Sequence, residues 1–355
     1  MTPVPSRRAL LREAFGAPVP ALLSLATLAG VLWAGQAGLG WLVLDAVWPW
    51  QDAQACGATR GFCWPFVAEK ARLILFGTYP HELLWRPAAA SLLLVALAVQ
   101  TGLRLTGSGL RLSPRQIAAL WAVVPAAAVL LLAGGVLGLA PVPSMRWNGL
   151  PVLLLLSVGA VALAFPLGIL LALARVQTAY PVLARLAALY VELARGVPML
   201  TFLFTGIFVL PLMLPPGARI EPVGATLVAL ILFHGAYFAE DIRAGLRSLP
   251  AGQGEAAHAL GLGYCAAVGE VLLPQALRRA MPSLVNSVIG AYKDTSLVVV
   301  VGIHDLTATA RMAFGDPDWR AFAVEGYAVV GLWFFISCAF LSTVGRRLHR
   351  RGPQG

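Results

Sequence analysis

Residues 150–174 read LPVLLLLSVGAVALAFPLGILLALA, 25 residues without one ionisable side chain. A bilayer core about 30 Å thick is crossed by roughly 20 apolar residues in α-helix, so a run of this kind reads as a membrane span. Comparable runs lie near 20–44, 87–103, 116–140, 196–214, 223–240, 282–303 and 323–345, which makes eight. Composition agrees, with 59% hydrophobic and 12% charged residues, where a soluble domain carries roughly a quarter charged. The expected fold class is an all-α membrane protein of about eight transmembrane helices. The first run follows Arg7, Arg8 and Arg12 as a signal peptide would, but it is long and ends in LDAVWPW instead of a small-residue cleavage site. It is therefore read as a span.

Basic residues near span ends accumulate on the cytoplasmic side. With the N-terminus inside, the inner segments hold 17 of the 26 basic residues, among them Arg104, Arg111, Arg115, Arg175, Arg243, Arg278, Arg346 and Arg347. Both termini are expected in the cytoplasm, on an inner membrane. The same placement accounts for the net charge of +10. No basic face with stacking aromatics marks a nucleic-acid partner, and the expected surroundings are membrane lipid.

The chain divides near residue 145. Residues 1–145 hold three spans and a long outer loop, 45–86, with four acids and four bases. Residues 146–345 hold five spans with short connections, except for an inner connection at about 243–281, and 346–355 form a basic tail. Cys56 and Cys63 lie eight positions apart inclusive in the loop stretch CGATRGFC. An oxidising compartment would close them into a small disulfide ring, and two free thiols are the other reading. Cys265 and Cys338 read as packing residues.

The inner connection contains GQGEAAHALGLGYCAAVGEVLLPQALR at 252–278. Adjacent spans can be joined by a handful of residues, so some 40 polar, helix-compatible ones call for a reason. Ala256, Ala257 and Ala259 favour a short helix over 254–262, Glu255 suits its first turn, and Gly261 and Gly263 end it. Small side chains allow another backbone to approach closely. Two readings stand: an interfacial helix that merely joins two spans, and a helix that docks in a cytoplasmic partner.

The spacing of this stretch resembles the signature loop of the membrane subunits of bacterial ATP-binding-cassette importers. There Glu-Ala-Ala is followed after three residues by Gly and after nine more by a hydrophobic residue, a spacer, Leu and Pro; here these are Glu255, Ala256, Ala257, Gly261, Val271, Leu273 and Pro274. ELARGVPML at 192–200, AYFAEDIRAGLRSLPAGQ at 236–253, LPQALR at 273–278 and KDTSLV at 293–298 resemble its polar amino acid branch. The first part is similar to longer permeases of general L-amino-acid uptake, through GFCWPF, ILFGTYP and WRP. Asp241 departs from that pattern, which has an aliphatic residue after the glutamate.

The resemblance implies a type I permease core in the last five spans. It also implies a coupling set of Gly252, Gln253, Glu255, Ala256, Ala257, Gly261, Leu273 and Pro274 that docks an ATPase subunit. A second permease subunit and a periplasmic amino-acid-binding protein are the other implied partners. ATP and Mg belong to the ATPase, because the only lysines, Lys70 and Lys293, do not end a phosphate-binding loop. No catalytic constellation, metal-ligand spacing or nucleophile elbow is present, so the chain is not expected to be an enzyme or to bind a cofactor itself.

Charges within spans are the remaining functional candidates, because an ionisable group at the bilayer centre costs roughly 2.5–3.5 kcal/mol without a partner or a watery cavity. They are Glu240 and Asp241 at the end of one run and Lys293, Asp294, Thr295 and Ser296 in another. Opposite charges lining one cavity would suit a substrate with an α-amino and an α-carboxyl group. Alternatively Lys293 pairs with Asp294, Glu240 and Asp241 lie beside Arg243, and Glu192 pairs with Arg195 across one turn. A rival function is an ion-coupled secondary transporter needing no ATPase; a further one is a membrane scaffold that moves nothing.

Overall fold

The computed structural model describes residues 13–177, 179–215 and 220–351. Arg7, Arg8, Arg12, Arg219 and the last four residues of the tail lie outside these. The chain forms two compact units that divide after Lys70, each described by itself.

In the first unit, α1 (Pro18–Leu39) continues through a wide π-type turn to Leu44. Beyond it the loop is held by the disulfide between Cys56 and Cys63, with Cα atoms 5.5 Å apart. Val47 exchanges backbone hydrogen bonds with Phe62 and Trp64, at 2.9 and 3.0 Å. The ring of Trp48 stacks between Trp50 and Trp64. Gly61 fits here because a Cβ would fall 1.8 Å from the carbonyl oxygen of Asp45.

A helix α2 (Trp64–Phe76) leads from the first unit into the second. There follow α3 (Trp85–Leu105) and α4 (Pro114–Ala133). Helix α4 starts at a capping box, Ser113 with Gln116, and stops at Gly134, whose φ of +66° suits glycine. The run expected to reach residue 140 is thus cut at 133. Arg86, wholly buried on α3, secures that stop: Nε donates to the Leu131 carbonyl at 2.5 Å and Nη1 to that of Ala140 at 2.8 Å. Orphan carbonyls at a helix C-terminus are where a buried cation is best tolerated. The Tyr79 hydroxyl donates to Leu132 O at 2.9 Å beneath the same guanidinium, and burial raises the Tyr79 pKa.

The centre of the second unit is the crossing of α5 (Leu150–Val176) with α8 (Pro222–Arg247). Ala164, Gly168 and Ala172 recur every four residues on α5 and pack on Phe238 and Ile242. Small residues at this spacing let helix backbones meet, since lipid gives no hydrophobic drive for helix association. A Cβ on Gly168 would lie 2.6 Å from the Cβ of Phe238. Gly245 does the same two turns further along α8, where a Cβ would lie 2.4 Å from the Ala276 carbonyl oxygen on α10 (Leu273–Asp294).

Between α5 and α8 runs α6 (Pro181–Gly196), then α7 (Met199–Phe204), which extends irregularly to Met213. The two are bent by 106° at Val197–Pro198; proline cannot continue the hydrogen-bond ladder of α6. The span expected at 196–214 is thus half of a broken pair. Seven helices among the described residues are long and apolar enough to cross a membrane, or eight if the broken pair is one span. Helix α10 continues as a 3₁₀ segment to Val301, α11 (Leu306–Ala313) begins at the N-cap Asp305, and α12 (Ala323–Arg351) closes the chain. The Asp305 carboxyl is buried, which raises its pKa, and it accepts from the Ala308 N–H at 3.0 Å.

Candidate functional site

The inner connection expected at 243–281 is mostly helix. α8 runs on to Arg247, and the chain is helical again from Tyr264, leaving 248–263 as the true connection. Within it lies α9 (Gly252–Ala259), two residues earlier than the sequence suggests. Ala257 is buried while Glu255, Ala256, His258, Ala259 and Leu260 are exposed. One face of α9 is therefore seated on the protein, next to the segment 267–272, and the other stands free. Gln275 Nε2 ties the ends of the connection by donating to Gln253 Oε1 at 3.3 Å and to Val271 O at 2.9 Å. Arg279 donates to the carbonyl of Ser248, fixing the exit from α8.

Gly261 ends α9 at φ +80°, in the left-handed region, with open space around it. The glycine is needed for its backbone and not for closeness. His258 Nδ1 lies 3.1 Å from Leu262 O, which braces the same turn. Gly252 and Glu255 are exposed, Gln253, Leu273 and Pro274 half-buried. The eight coupling residues named from the sequence thus fall on one brace: α9, its stop, and the first turn of α10. Cys265, expected as packing, is exposed beside it.

The six substrate candidates separate, two on α8 and four at the end of α10 and in the 3₁₀ segment after it. Glu240 is the hub of an ion-pair cluster: Arg175 of α5 approaches Oε2 at 2.6 Å, Arg195 of α6 at 3.6 Å, and Arg243 bonds both oxygens. Glu192 pairs with Arg175 at 3.5 Å and not with Arg195, because a single turn of α6 leaves the nearer guanidinium on α5. Three helices are thereby tied at one end. Asp241 points the other way, accepting from Ser287 of α10 at 2.6 Å. Successive helix residues diverge by about 100°, which sends these neighbours to different partners.

The pairing of Lys293 with Asp294 does not occur. Lys293 is exposed and makes no ion pair among the described residues, while Asp294 Oδ2 lies 3.8 Å from Nε2 of His234 on α8. Thr295 donates to Tyr292 O and Ser296 to Lys293 O, so both hydroxyls serve the transition to 3₁₀ helix. Arg175 entered the sequence reading only as a marker of topology, and His234 and Ser287 were not among its site candidates. Arg175 and His234 are ionisable groups in or at the end of apolar runs, which is a signal by itself; Ser287 carries none. No cluster of metal-ligating groups occurs among the described residues.

Apolar helices held by close crossings, with a braced small-residue helix standing free between two of them, define a multi-pass helical membrane protein. The chain belongs to the family described as binding-protein-dependent transport system inner membrane component, which it matches over residues 164–352. It is 39% identical to the inner membrane amino-acid ABC transporter permease protein YhdY of Escherichia coli (strain K12), over 89% of this chain and 85% of that one. It is 32% identical to the glutamate/glutamine/aspartate/asparagine transport system permease protein BztC of Rhodobacter capsulatus, over 95% of this chain and 91% of that one. A crystal structure of an amino acid ABC transporter with histidines aligns with 57% of this chain and 92% of that one, at 29% identity and a TM-score of 0.49. The chain is an all-α, multi-pass membrane transport subunit, and in this family ATP hydrolysis belongs to separate subunits.

Proposed function

We propose that this chain is the permease of an importer for polar or general L-amino acids, driven by ATPase subunits that dock on α9. The supporting observation is the free face of α9, Glu255, Ala256, Ala259 and Leu260, on a helix whose other face and both ends are fastened. A push there is carried into α8 and α10 through Arg279, Gln275 and the Gly245 crossing. Residues 146–345 form the translocation core and 1–145 an accessory region. Both termini face the cytoplasm of an inner membrane. A second permease subunit and a periplasmic amino-acid-binding protein complete the assembly, and the ATPases bind ATP and Mg.

Within the core, Glu240 is engaged by three arginines and Asp241 by Ser287, which favours a role in holding the helices over one in holding the cargo. Lys293 and Asp294 keep unspent capacity. A lysine in a span is costly against lipid, and these two charges suit a cavity that receives the carboxylate and ammonium of an amino acid.

Replacing Glu255 with Lys should abolish most uptake and co-purification with the ATPase while leaving insertion and thermal stability intact; Gly261→Val should do the same to uptake and co-purification with insertion intact, at some cost in stability because a β-branched residue is strained at φ +80°. Unchanged co-purification in both variants would refute docking on α9. Uptake in vesicles by a gradient, with no ATPase present, would establish the secondary transporter; vesicles that move no substrate would leave only a scaffold. Orientation is checked at Cys265: an impermeant thiol reagent should label it from the cytoplasmic side only.

A further inference from the structure

Outside the coupling brace, one cleft combines an apolar wall with unspent positive charge. It lies between α3, α4 and the segment joining them, encloses about 460 Å³, and is walled by Leu93, Leu97, Ile117, Leu120 and Val124. Gln100, Thr101 and Arg104 are its polar lining among the described residues. Two of these are occupied: Thr101 donates to Leu97 O and accepts from Trp121 Nε1 at 3.0 Å, and Gln100 donates to Leu110 O at 3.3 Å. Arg104 spends only Nε, on Leu112 O at 3.1 Å, and so holds the joining segment over the end of the cleft with its two Nη groups left over.

The charge around that end is one-sided. Arg111, between the lining residues Leu110 and Leu112, and Arg115, at the start of α4, are near it in the chain and exposed without lining it, and none of the three arginines forms an ion pair among the described residues. No Asp or Glu occurs in the sequence between Glu82 and Glu192. A water cluster needs two to four polar partners per molecule, which this wall lacks. Because α3 and α4 are of membrane-spanning length and hydropathy, the medium at the wall is acyl chain and the medium at the arginines is headgroup. Basic pockets at the ends of membrane helices select anionic headgroups.

We propose that this cleft is a binding site for one anionic phospholipid. An acyl chain lies along Leu93, Leu97, Leu120 and Val124, and the phosphate rests on the Nη groups of Arg104, with Arg111 and Arg115 supplying the field that favours a net negative headgroup over a zwitterionic one. The site fastens the α3–α4 hairpin to the surrounding leaflet and is independent of what the core transports.

The test uses the whole transport complex in nanodiscs of phosphatidylethanolamine containing a minor fraction of phosphatidylglycerol, with lipid retained after detergent extraction counted by native mass spectrometry. The intact protein should retain phosphatidylglycerol preferentially. At about 1 kcal/mol per basic residue near the surface, R104Q should weaken retention about fivefold and R104Q/R111Q/R115Q on the order of a hundredfold. Ala96→Trp, which fills the cleft without altering charge, should also abolish retention, and Leu93→Trp repeats this at the rim if the first variant is unstable. Millimolar glycerol phosphate or inorganic phosphate should not displace the lipid, since neither has a chain to bury. Equal retention by the triple variant, no preference over phosphatidylethanolamine, displacement by free phosphate, or a photo-crosslinker at Leu97 that captures the sister permease instead of lipid would each overturn the proposal.

Discussion

Helices α1 and α8 are about equally apolar, yet their fates are opposite. No residue of α1 is buried, whereas 13 of the 26 residues of α8 are. Both carry glycines. Gly30, Gly35 and Gly38 on α1 have nothing within 4 Å of a hypothetical Cβ, while Gly235 and Gly245 on α8 are in close contact with α5 and α10 respectively. Apolarity decides that a segment enters the bilayer; fit between small and large side chains decides what it touches there. The buried helix is the one that also carries charge, and it spends Glu240 on three arginines from its own turn and two neighbours.

The contrast is broken most sharply at the α5–α8 crossing. Gly168→Leu should cost about 3 kcal/mol or more, because the clash is with Phe238 Cβ and the Ala239 backbone, which cannot swing aside; loss of monodisperse protein in fluorescence-detected chromatography reads it. Arg86→Met comes next. It strands the carbonyls of Leu131 and Ala140 without their donors and should lower stability by about 2–3 kcal/mol, visible as a fall in Tm, with Arg86→Lys recovering part. Glu240→Gln leaves Arg175, Arg195 and Arg243 facing one another and should cost about 2 kcal/mol. Adding Arg175→Gln should then return some of it, a coupling that a double-mutant cycle measures. The smallest effect is Gly30→Leu, within about 0.5 kcal/mol for the isolated chain. If that variant instead disrupts the assembled complex, α1 is the seat of a partner subunit, and the comparison sharpens to one between buried within the chain and buried between chains.

Span positions were legible because the signal is a run of transfer energies and needs no partner. Ends were legible only where local chemistry marks them: Ser113 and Gln116 start α4, but its stop at 133 depends on Arg86 from another helix. The short helix of the inner connection was legible because Gly261 and the alanines act locally. Pairings were not. Lys293 next to Asp294, and Glu192 one turn from Arg195, looked like partners along the chain, and the true partners lie on α5 and α8. Pro198 is a local reason for a break between α6 and α7, but the 106° angle is set by packing and is not readable from the proline.

The sequence alone determined a chain of membrane helices with one polar, small-residue connection, since hydropathy, glycine stops and proline breaks act within a few residues of themselves. Only the tertiary structure decided which face of α9 stands free, that Glu240 gathers arginines from three helices, and that the α3–α4 hairpin encloses an apolar cleft with cations at its end. Those facts depend on distances between segments far apart in the chain, and side-chain direction on a helix turns by about 100° at each residue, so adjacency in sequence carries little information about adjacency in space.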